Sequence, residues 1–391
     1  MKRMVSPLGP IGLALLLPVA LAFAPPDAST EDRKPSDALK PFVEAHTLAG
    51  AVTLVADKDQ VLSLDAVGFS DVDAGTPMRT DGVFWIASQS KSITATALMM
   101  LVDEGKVKLD DPVEKYLPEF GGPWLAVERD NDHVVLKRPK HAITVREVLS
   151  HTSGLPFASS VEHPTLDGLP LREAVLSYAL TPLGFEPGTK YQYSNAGINT
   201  AGRIIEVVAG MPFEEFLETR LTRPLGMVDT TFWPKGEQLA RIARAYKPGA
   251  GHTGLEATTI SQLRYPLDGP SRCPMPAGGL FSTASDVGRF CQMILNGGVF
   301  QGKRYLSEAA VKEMTRKQTG DALPDGYGLG WATGGDHFGH GGALATNMEI
   351  DTKRGLITVF LIQHAGFPGD GAKSHGAFKN AAEEQFGKAK D

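Results

Sequence analysis

Cysteine is nearly missing from this sequence, which has only Cys273 and Cys291 among 391 residues. A disulfide-rich scaffold or a cysteine-based metal site needs more thiols than this, so both classes are excluded. The two thiols either form one bridge or stay as buried free cysteines, and the sequence leaves both possibilities open. We expect no cofactor and no metal ion.

The sequence also lacks a large excess of charge of one sign. The chain has 39 Lys and Arg against 45 Asp and Glu, a net charge of -6. No basic stripe is present, so nucleic acid is not an expected partner. The apolar content of 42% and the charged content of 21% are typical of a soluble globular protein. A chain of this length forms one large domain or two lobes.

Long hydrophobic runs are rare, and the most marked one lies at the N-terminus. Lys2 and Arg3 precede an apolar stretch, Leu8 to Ala22, that is broken by prolines and short for a membrane span. It ends in Ala-Leu-Ala, the small-x-small pattern of a signal-peptidase site. We therefore expect residues 1–22 to be a signal peptide. The protein would then be exported to the periplasm or beyond the cell, without a stable membrane anchor; an uncleaved anchor is the alternative.

Strand patterns occur at both ends of the chain. Residues 23–40 are polar and proline-containing, which predicts a linker. Alternating apolar residues from Gly50 to Gly68 predict a β-hairpin, and two further strands fit Leu344–Ile350 and Leu356–Gln363. A last helix fits Ala372–Lys388. Together these segments predict one antiparallel sheet built from the two termini, with helices beside it.

The middle of the chain is mostly helical in pattern and is divided by loops rich in glycine and proline. The fold class is therefore α+β. The predicted helices are Val145–Ser150, Leu171–Leu180, Thr200–Val208, Phe213–Leu221 and Ala284–Leu295.

Ser88 and Lys91 are three residues apart where a predicted core helix, Ile93–Val102, begins, so their side chains share one face. A serine hydroxyl is a poor nucleophile unless a base takes its proton. A lysine is such a base only when its pKa is lowered, and burial and the positive end of a helix both lower it. The pair predicts an acyl-transfer site. The structural alternative is an N-cap serine followed by an exposed lysine.

Tyr193 and Asn195 lie at a loop-to-helix junction, just before a helix predicted to start near Asn199. A phenol near an ammonium loses its proton more readily, so Tyr193 would relay protons between Ser88 and a leaving group. The amide of Asn195 suits holding Lys91 and a substrate carbonyl. The alternative is a buried tyrosine with a satisfied hydroxyl.

His340, Gly341 and Gly342 precede a predicted strand. Glycines let the backbone approach a ligand closely, so the amides of Ala343 and Ser88 would together bind an oxyanion. His340 would supply a polar or positive edge to the cleft. The alternative is a glycine turn that enters a strand.

Other histidines receive structural interpretations. His151 begins a Thr-Ser-Gly turn that braces a loop, and His252 opens a His-Thr-Gly sequence in a glycine-rich stretch that is not beside a strand. A metal site built from His337, His340 and His364 is an alternative. No carboxylate or cysteine pattern accompanies these three, so we do not expect it.

Ser88-x-x-Lys91, Tyr193-x-Asn195 and His340-Gly-Gly resemble, in this order, the three motifs of the β-lactamase-related serine hydrolases. That superfamily includes class C β-lactamases, D-alanyl-D-alanine carboxypeptidases, D-aminopeptidases and esterases. The similarity runs from about Lys40 to Ala365. Flanking segments that share it include Leu109–Val113, Leu149–Pro156, Pro224–Met227 and Pro276–Leu280.

The resemblance implies a two-lobed fold of the serine β-lactamase and transpeptidase type. Residues 41–105 and 326–391 would form an α/β lobe, and residues 106–325 a mostly helical lobe. The catalytic domain would cover about residues 41–370.

The resemblance also implies an acyl-enzyme mechanism. Ser88 would attack the substrate, Lys91 and Tyr193 would manage protons, and Asn195 would position the reacting groups. The amides of Ser88 and Ala343 would form the oxyanion hole. Water would then release the acyl group.

The third motif departs from the Lys-Thr-Gly of typical β-lactamases of this kind. Lysine and a hydroxyl suit a substrate carboxylate, whereas Gly341 has no hydroxyl and His340 is mostly neutral at pH 7. We therefore expect a small-molecule or peptide-like acyl substrate, an ester or an amide, cleaved by an esterase or a D-stereospecific peptidase. A β-lactamase or D-Ala-D-Ala carboxypeptidase (penicillin-binding protein) is the alternative. A non-catalytic cell-wall or β-lactam binder is a further one.

Overall fold

The computed structural model describes residues 33–322 and 326–387. The predicted signal peptide and the first part of the predicted linker lie outside the described residues. The helices and strands of this part of the chain begin with α1 (Lys40–Glu44), β1 (Gly50–Ala56), β2 (Val61–Asp71), β3 (Thr76–Pro77), β4 (Phe84–Trp85), α2 (Ser90–Asp103), β5 (Leu125–Arg129), β6 (Val134–Lys137), α3 (Val145–Leu149), α4 (Leu171–Leu180), α5 (Asn195–Ala209) and α6 (Phe213–Leu217).

The second half of the described chain adds fewer helices and more strands, among them the C-terminal half of the main sheet. These elements are α7 (Glu237–Ala240), β7 (Ala245–Pro248), β8 (Leu255–Thr258), β9 (Phe281–Ser282), α8 (Ala284–Leu295), β10 (Val299–Phe300), β11 (Lys303–Arg304), α9 (Glu308–Thr315), β12 (Ala332–Gly334), β13 (His337–Gly341), β14 (Asn347–Asp351), β15 (Leu356–Leu361) and α10 (Ser374–Phe386). Within the described ranges, no helix has the length and apolarity to cross a membrane.

The largest sheet of the described chain is antiparallel and joins the two ends of the sequence. Its strand order is β12-β13-β14-β15-β1-β2-β3. The central pairing is between β1 and β15, where Thr53 lies opposite Phe360. The α+β prediction and the predicted sheet from both termini are confirmed. The lobe boundaries at residues 105 and 326 stay a prediction.

Strand β1 is buried along its whole length because both faces of the sheet are covered. Side chains alternate between the faces. Val52 and Leu54 belong to the larger hydrophobic core, on the side of α8, whereas Ala51 and Val55 join a smaller core that includes Phe378 of α10. The sheet therefore lies between two helical layers.

Helix α2 is the central element of the larger core. Residues 90–101 are all buried, so the helix is enclosed on every side. Small side chains such as Ala95 and Ala97 allow neighbouring elements to pack closely against it. This enclosure determines the environment of any polar side chain at its N-terminal end, including Lys91.

Helix α5 packs against α3 and against Pro276 through glycines. A Cβ atom at Gly197 would lie 2.6 Å from the carbonyl oxygen of Val148, and one at Gly202 would lie 2.4 Å from Pro276. Ser194 caps the helix, because its Oγ accepts a hydrogen bond from the backbone N–H of Gly197 at 2.9 Å. The helix therefore begins at Asn195, four residues before the predicted start near Asn199.

The N-terminal end of the described chain differs from the predicted linker. The last part of the predicted linker is folded, because Pro35–Leu39 forms a 3₁₀ helix and Leu39 is fully buried in the smaller core. An apolar side chain that fills a core offsets the entropy of ordering a short polar segment.

Cys273 and Cys291 are both free thiols. The helices predicted at Leu171–Leu180 and Ala284–Leu295 are confirmed with the same boundaries.

Candidate active site

Ser88 lies in a short 3₁₀ turn, Ala87–Gln89, that leads directly into α2. Its neighbours are buried, whereas Ser88 itself is partly exposed. Ala87 has a φ of 46°, a left-handed conformation that is costly for a residue with a Cβ atom. Strained backbone of this kind is concentrated at functional sites, where the surrounding packing enforces it. The turn therefore presents the Ser88 hydroxyl at the surface of a rigid core.

Lys91 is fully buried, and its Nζ contacts three oxygen atoms. These are Ser88 Oγ at 3.1 Å, Asn195 Oδ1 at 2.6 Å and the carbonyl oxygen of Ala277 at 2.6 Å. No carboxylate is among these partners. Burial lowers the pKa of Lys91 well below its ordinary value of 10.5. The environment therefore favours the neutral amine, as the sequence predicted.

A neutral amine has two N–H donors and one lone pair. The two shortest contacts, to Asn195 and Ala277, are with acceptors that have no proton to give, so they take the two N–H groups. The lone pair is then left for the Ser88 hydroxyl at 3.1 Å. This arrangement is the one that a general base requires.

Tyr193 lies beside both residues. The Lys91 Nζ is 4.7 Å from the centroid of the Tyr193 ring. Hydrogen bonding with the Ser88 side chain acts to lower the pKa of the Tyr193 phenol. Burial is the larger effect and raises this pKa above its ordinary value of 10.0. The expectation of a phenol that readily loses its proton is therefore wrong for the free enzyme, because burial disfavours both the phenolate and the ammonium that would stabilise it.

Asn195 reaches the site from the first turn of α5. Its backbone N–H donates to the carbonyl oxygen of Phe157 at 3.0 Å, and its side chain is 5% exposed. The Oδ1 atom accepts from Lys91, which is the contact predicted for it.

His340 lies within β13, which ends at Gly341, so the motif precedes a strand, β14, as predicted, but its first two residues belong to a strand and not to a turn. The glycine before it allows close strand pairing here, since a Cβ atom at Gly339 would lie 2.2 Å from the carbonyl oxygen of Met348. The ring is buried, and both nitrogens have partners. Nε2 is 3.0 Å from the Tyr327 hydroxyl, and Nδ1 is 2.7 Å from the carbonyl oxygen of Gly341.

The tautomer of His340 follows from these partners. A carbonyl oxygen only accepts, so Nδ1 carries the proton and donates it, while Nε2 accepts from Tyr327. Burial, with the nearby Lys91 as a smaller cause, lowers the pKa of His340 to about 4. The ring is neutral at pH 7, and the expectation of a positive edge is wrong. The ring has no free nitrogen for a substrate carboxylate.

The two glycines after His340 differ sharply in the space around them. A Cβ atom at Gly342 would lie 2.1 Å from Thr346 Oγ1 and 2.6 Å from the carbonyl oxygen of Ile86. At Gly341 the nearest atom would be 3.6 Å away, an ordinary contact. Gly342 therefore packs directly against the segment that leads to Ser88. Ala343 follows it and is exposed; its share in an oxyanion hole stays a prediction.

This contrast yields a matched pair of variants. We expect Gly342→Ala to lower kcat about 10- to 100-fold and the free energy of unfolding by about 1–3 kcal/mol, because backbone must move to admit the methyl group. Gly341→Ala should leave both close to the parent values. Ester hydrolysis and thermal unfolding of the two variants measure this, and equal behaviour of the pair would contradict the packing described.

Three residues of the site were not recognised in the sequence. The carbonyl oxygen of Ala277 accepts from Lys91. Tyr327 contacts His340, and His151 packs against the rings of Tyr193 and Tyr327 with centroids 4.6 Å apart in each pair. A backbone carbonyl leaves no signal in a single sequence. His151 did lie in a segment that resembles the family, but we interpreted it as a structural turn.

The metal alternative has no geometric support. His364 Nε2 accepts from the backbone N–H of Ala49 at 3.1 Å, and His340 contacts Tyr327. In residues 33–322 and 326–387, no group of three or more potential ligands is arranged to hold a metal ion. The His252 sequence lies in an exposed turn.

Comparison with known proteins agrees with this geometry. The sequence matches the Beta-lactamase family over residues 36–382. The chain belongs to this family. Its members include serine hydrolases such as esterases and carboxypeptidases, so the chain is an enzyme of the β-lactamase-related serine hydrolase type, as the sequence motifs indicated.

Two curated relatives illustrate the range of the family. Esterase EstB of Burkholderia gladioli is 32% identical over 314 residues, which cover 73% of this chain and 74% of the relative. A putative D-alanyl-D-alanine carboxypeptidase of Salmonella agona is 26% identical over 384 residues, 87% of this chain and 85% of the relative.

The fold has solved counterparts as well. The structure of EstCE1, described as a hydrolase with promiscuous acyltransferase activity, matches with a TM-score of 0.74 and 23% identity, covering 89% of this chain and 97% of that one. At this identity the match shows the fold alone. It confirms the predicted serine β-lactamase type of fold.

Proposed function

We propose that this protein is an exported serine esterase that acts through an acyl-enzyme on Ser88. The observation that carries the proposal is the buried Lys91 amine 3.1 Å from the Ser88 hydroxyl. In the first step Ser88 Oγ bonds to the substrate carbonyl carbon, and its proton passes to the lone pair of Lys91. The carbonyl oxygen becomes an oxyanion, for which the backbone amides of Ser88 and Ala343 are the proposed donors.

The leaving alcohol then needs a proton. The ring of Tyr193 lies against Lys91 and its phenol interacts with the Ser88 side chain, so the phenol is placed to pass a proton from the ammonium to the leaving oxygen. A phenol with a raised pKa gives up a proton only as it receives one, which suits a relay better than a stored phenolate. In the second half of the reaction, water attacks the acyl carbon and gives its proton to Lys91. The bond between the acyl carbon and Ser88 Oγ then breaks, the acid leaves, and Ser88 Oγ takes up the proton.

The choice of an ester rests on the third motif. Recognition of a substrate carboxylate calls for a cation or free hydrogen-bond donors. His340 is neutral and its two nitrogens are both engaged, and Gly341 has no side chain. An uncharged acyl compound fits this edge better than a penicillin or a D-Ala terminus. The 32% identity to an esterase agrees with this choice.

A substrate panel tests the proposal. We expect the parent protein to hydrolyse short-chain p-nitrophenyl esters at least about 100-fold faster, by kcat/KM, than a D-Ala-D-Ala peptide, D-amino acid amides or nitrocefin, a difference of about 3 kcal/mol in activation free energy. Faster turnover of the peptide or of nitrocefin would instead support a carboxypeptidase or β-lactamase.

Export is tested separately, by the intact mass of the secreted protein, which should lack residues 1–22.

Removal of one oxygen atom tests the relay. Tyr193→Phe should lower kcat for esters about 100- to 1,000-fold, because the leaving alcohol then departs without a proton donor. The loss should be smaller for a p-nitrophenyl ester, whose leaving group is a weak base, than for an alkyl ester. Steady-state rates on both ester types measure the difference, and an equal loss on the two would contradict the relay.

A further inference from the structure

His151 lies directly behind Tyr193 and has no part in the proton transfers proposed above. It is 1% exposed, and its φ is 61°, in the left-handed region that is uncommon for residues other than glycine. A buried histidine held in a strained conformation calls for a reason beyond a simple turn.

His151 forms hydrogen bonds to the residues immediately before and after Tyr193 in the sequence. Its carbonyl oxygen accepts the backbone N–H of Gln192 at 2.9 Å. Its Nδ1 accepts the backbone N–H of Ser194 at 3.2 Å. The residue before Tyr193 and the residue after it are therefore both bonded to one residue of another segment.

The ring of His151 completes the contact. Its centroid is 4.6 Å from that of Tyr193, and the planes are tilted by 46°. The ring also contacts Tyr327 at the same centroid distance, and the centroids of Tyr193 and Tyr327 are themselves 6.5 Å apart. The imidazole thus packs against both tyrosines and limits how far the Tyr193 ring can move.

The protonation state suits the acceptor role. Burial, with Lys91 and His340 as smaller causes, lowers the pKa of His151 well below its ordinary value of 6.5. Since Nδ1 accepts from a backbone N–H, the single ring proton is on Nε2, which is buried and has no hydrogen-bond partner. The hydrogen bond that anchors the ring is therefore the one at Nδ1.

We propose that His151 is a positioning residue that holds the phenol of Tyr193 against Ser88, through its Nδ1 bond to Ser194. The proposal rests on the proposed function, because it assigns to His151 the geometry of that proton relay. Misplacement of a reacting group by about 1 Å lowers rates about 100-fold. A residue that acts only through Tyr193 should change kcat and leave KM nearly unaltered.

Two amide variants test the Nδ1 bond. The Oδ1 atom in His151→Asn is as many bonds from Cα as Nδ1 is, and asparagine tolerates a positive φ. We expect this variant to keep kcat within about fivefold of the parent. His151→Gln moves the acceptor one bond further and should lower kcat about 100-fold with little change in KM. Equal kcat values for the two variants would overturn the proposal.

A double-mutant cycle separates positioning from a general loss of structure. On a Tyr193→Phe background, His151→Gln should lower kcat by less than about threefold, because the group it positions is already gone. A repeated 100-fold loss on that background would overturn the proposal. Thermal unfolding selects the variants that fold, and His151→Phe, which keeps a ring without an acceptor, replaces the Gln variant if that one does not fold.

The parent protein provides the remaining distinction. A parent that neither hydrolyses esters nor takes up a fluorophosphonate label on Ser88 contradicts the proposed function itself. An active parent with equal Asn and Gln variants contradicts only the role of His151.

Discussion

Ser88→Ala should lower the rate of ester hydrolysis by about 10⁴- to 10⁶-fold, because nucleophile and base act as one unit and either loss removes the covalent path. The hydroxyl is partly exposed and contributes little to folding, so the variant should unfold at nearly the parent temperature. Intact mass after mixing with an activated ester should show an added acyl group on the parent and none on the variant.

Ser92→Ala is a matched control on the same helix. Ser92 is fully buried, and its Oγ donates to the carbonyl oxygen of Gly330 at 2.7 Å, away from Lys91 Nζ and its partners. We expect this variant to lose about 1–2 kcal/mol of stability while keeping its hydrolysis rate within about threefold.

A Ser88→Ala protein that hydrolyses esters at the parent rate would rule out the acyl-enzyme on Ser88 and with it the whole proposed function.

Lys91→Met is expected to lower kcat/KM by about 10³- to 10⁴-fold, since it keeps an unbranched side chain, one atom shorter than that of lysine, but removes the base. The amide of Asn195 and the carbonyl of Ala277 each lose a donor, so some loss of stability accompanies the change. Pre-steady-state acylation rates separate the two effects. A variant that is folded and still acylated at the parent rate would show that another group takes the proton.

The pH dependence follows from the same residue. Only the neutral amine accepts the proton of Ser88, so kcat/KM of the parent should be at its plateau above the lowered pKa of Lys91. Below that pKa it should fall about tenfold per pH unit. Because the pKa is lowered from 10.5, activity should persist at pH values where an ordinary lysine is charged. A profile that rises only near pH 10 would contradict a buried neutral base.

The lowered pKa of Lys91 should also make the free energy of unfolding depend on pH. Between the lowered pKa of the folded state and 10.5, the unfolded chain binds a proton at Lys91 that the folded chain does not. The contribution of this group to stability is therefore fully present above 10.5 and decreases as the pH falls through that window. The difference in unfolding temperature between the parent and Lys91→Met should change with pH in this direction.

Local patterns in the sequence were the most reliable guides to the structure. The helices at Leu171–Leu180 and Ala284–Leu295 have clear periodicity and definite ends, and both were placed correctly. Ser88 and Lys91 are three residues apart, so a helix alone brings them together. Tyr193 and Asn195 needed the additional assumption that a polar pair at a junction faces the same cleft.

The errors arose where tertiary contacts override local signals. The start of α5 was misplaced because Ser194 was not recognised as its cap, although serine favours that position. Strand β13 was missed because a glycine-rich segment is typical of a turn, whereas here Gly339 allows close pairing with β14. The pKa of Tyr193 was misjudged because burial, which outweighs its neighbours, is a property of the whole fold.

The pairing of Thr53 with Phe360 has a consequence for how the polypeptide is made. On the ribosome, β1 emerges before β15 and must wait with one edge unsatisfied until β15 has been translated as well. A product that terminates before β15 would expose that apolar edge permanently and would be prone to aggregate. Premature stop codons upstream of β15 should therefore remove the protein altogether rather than shorten it.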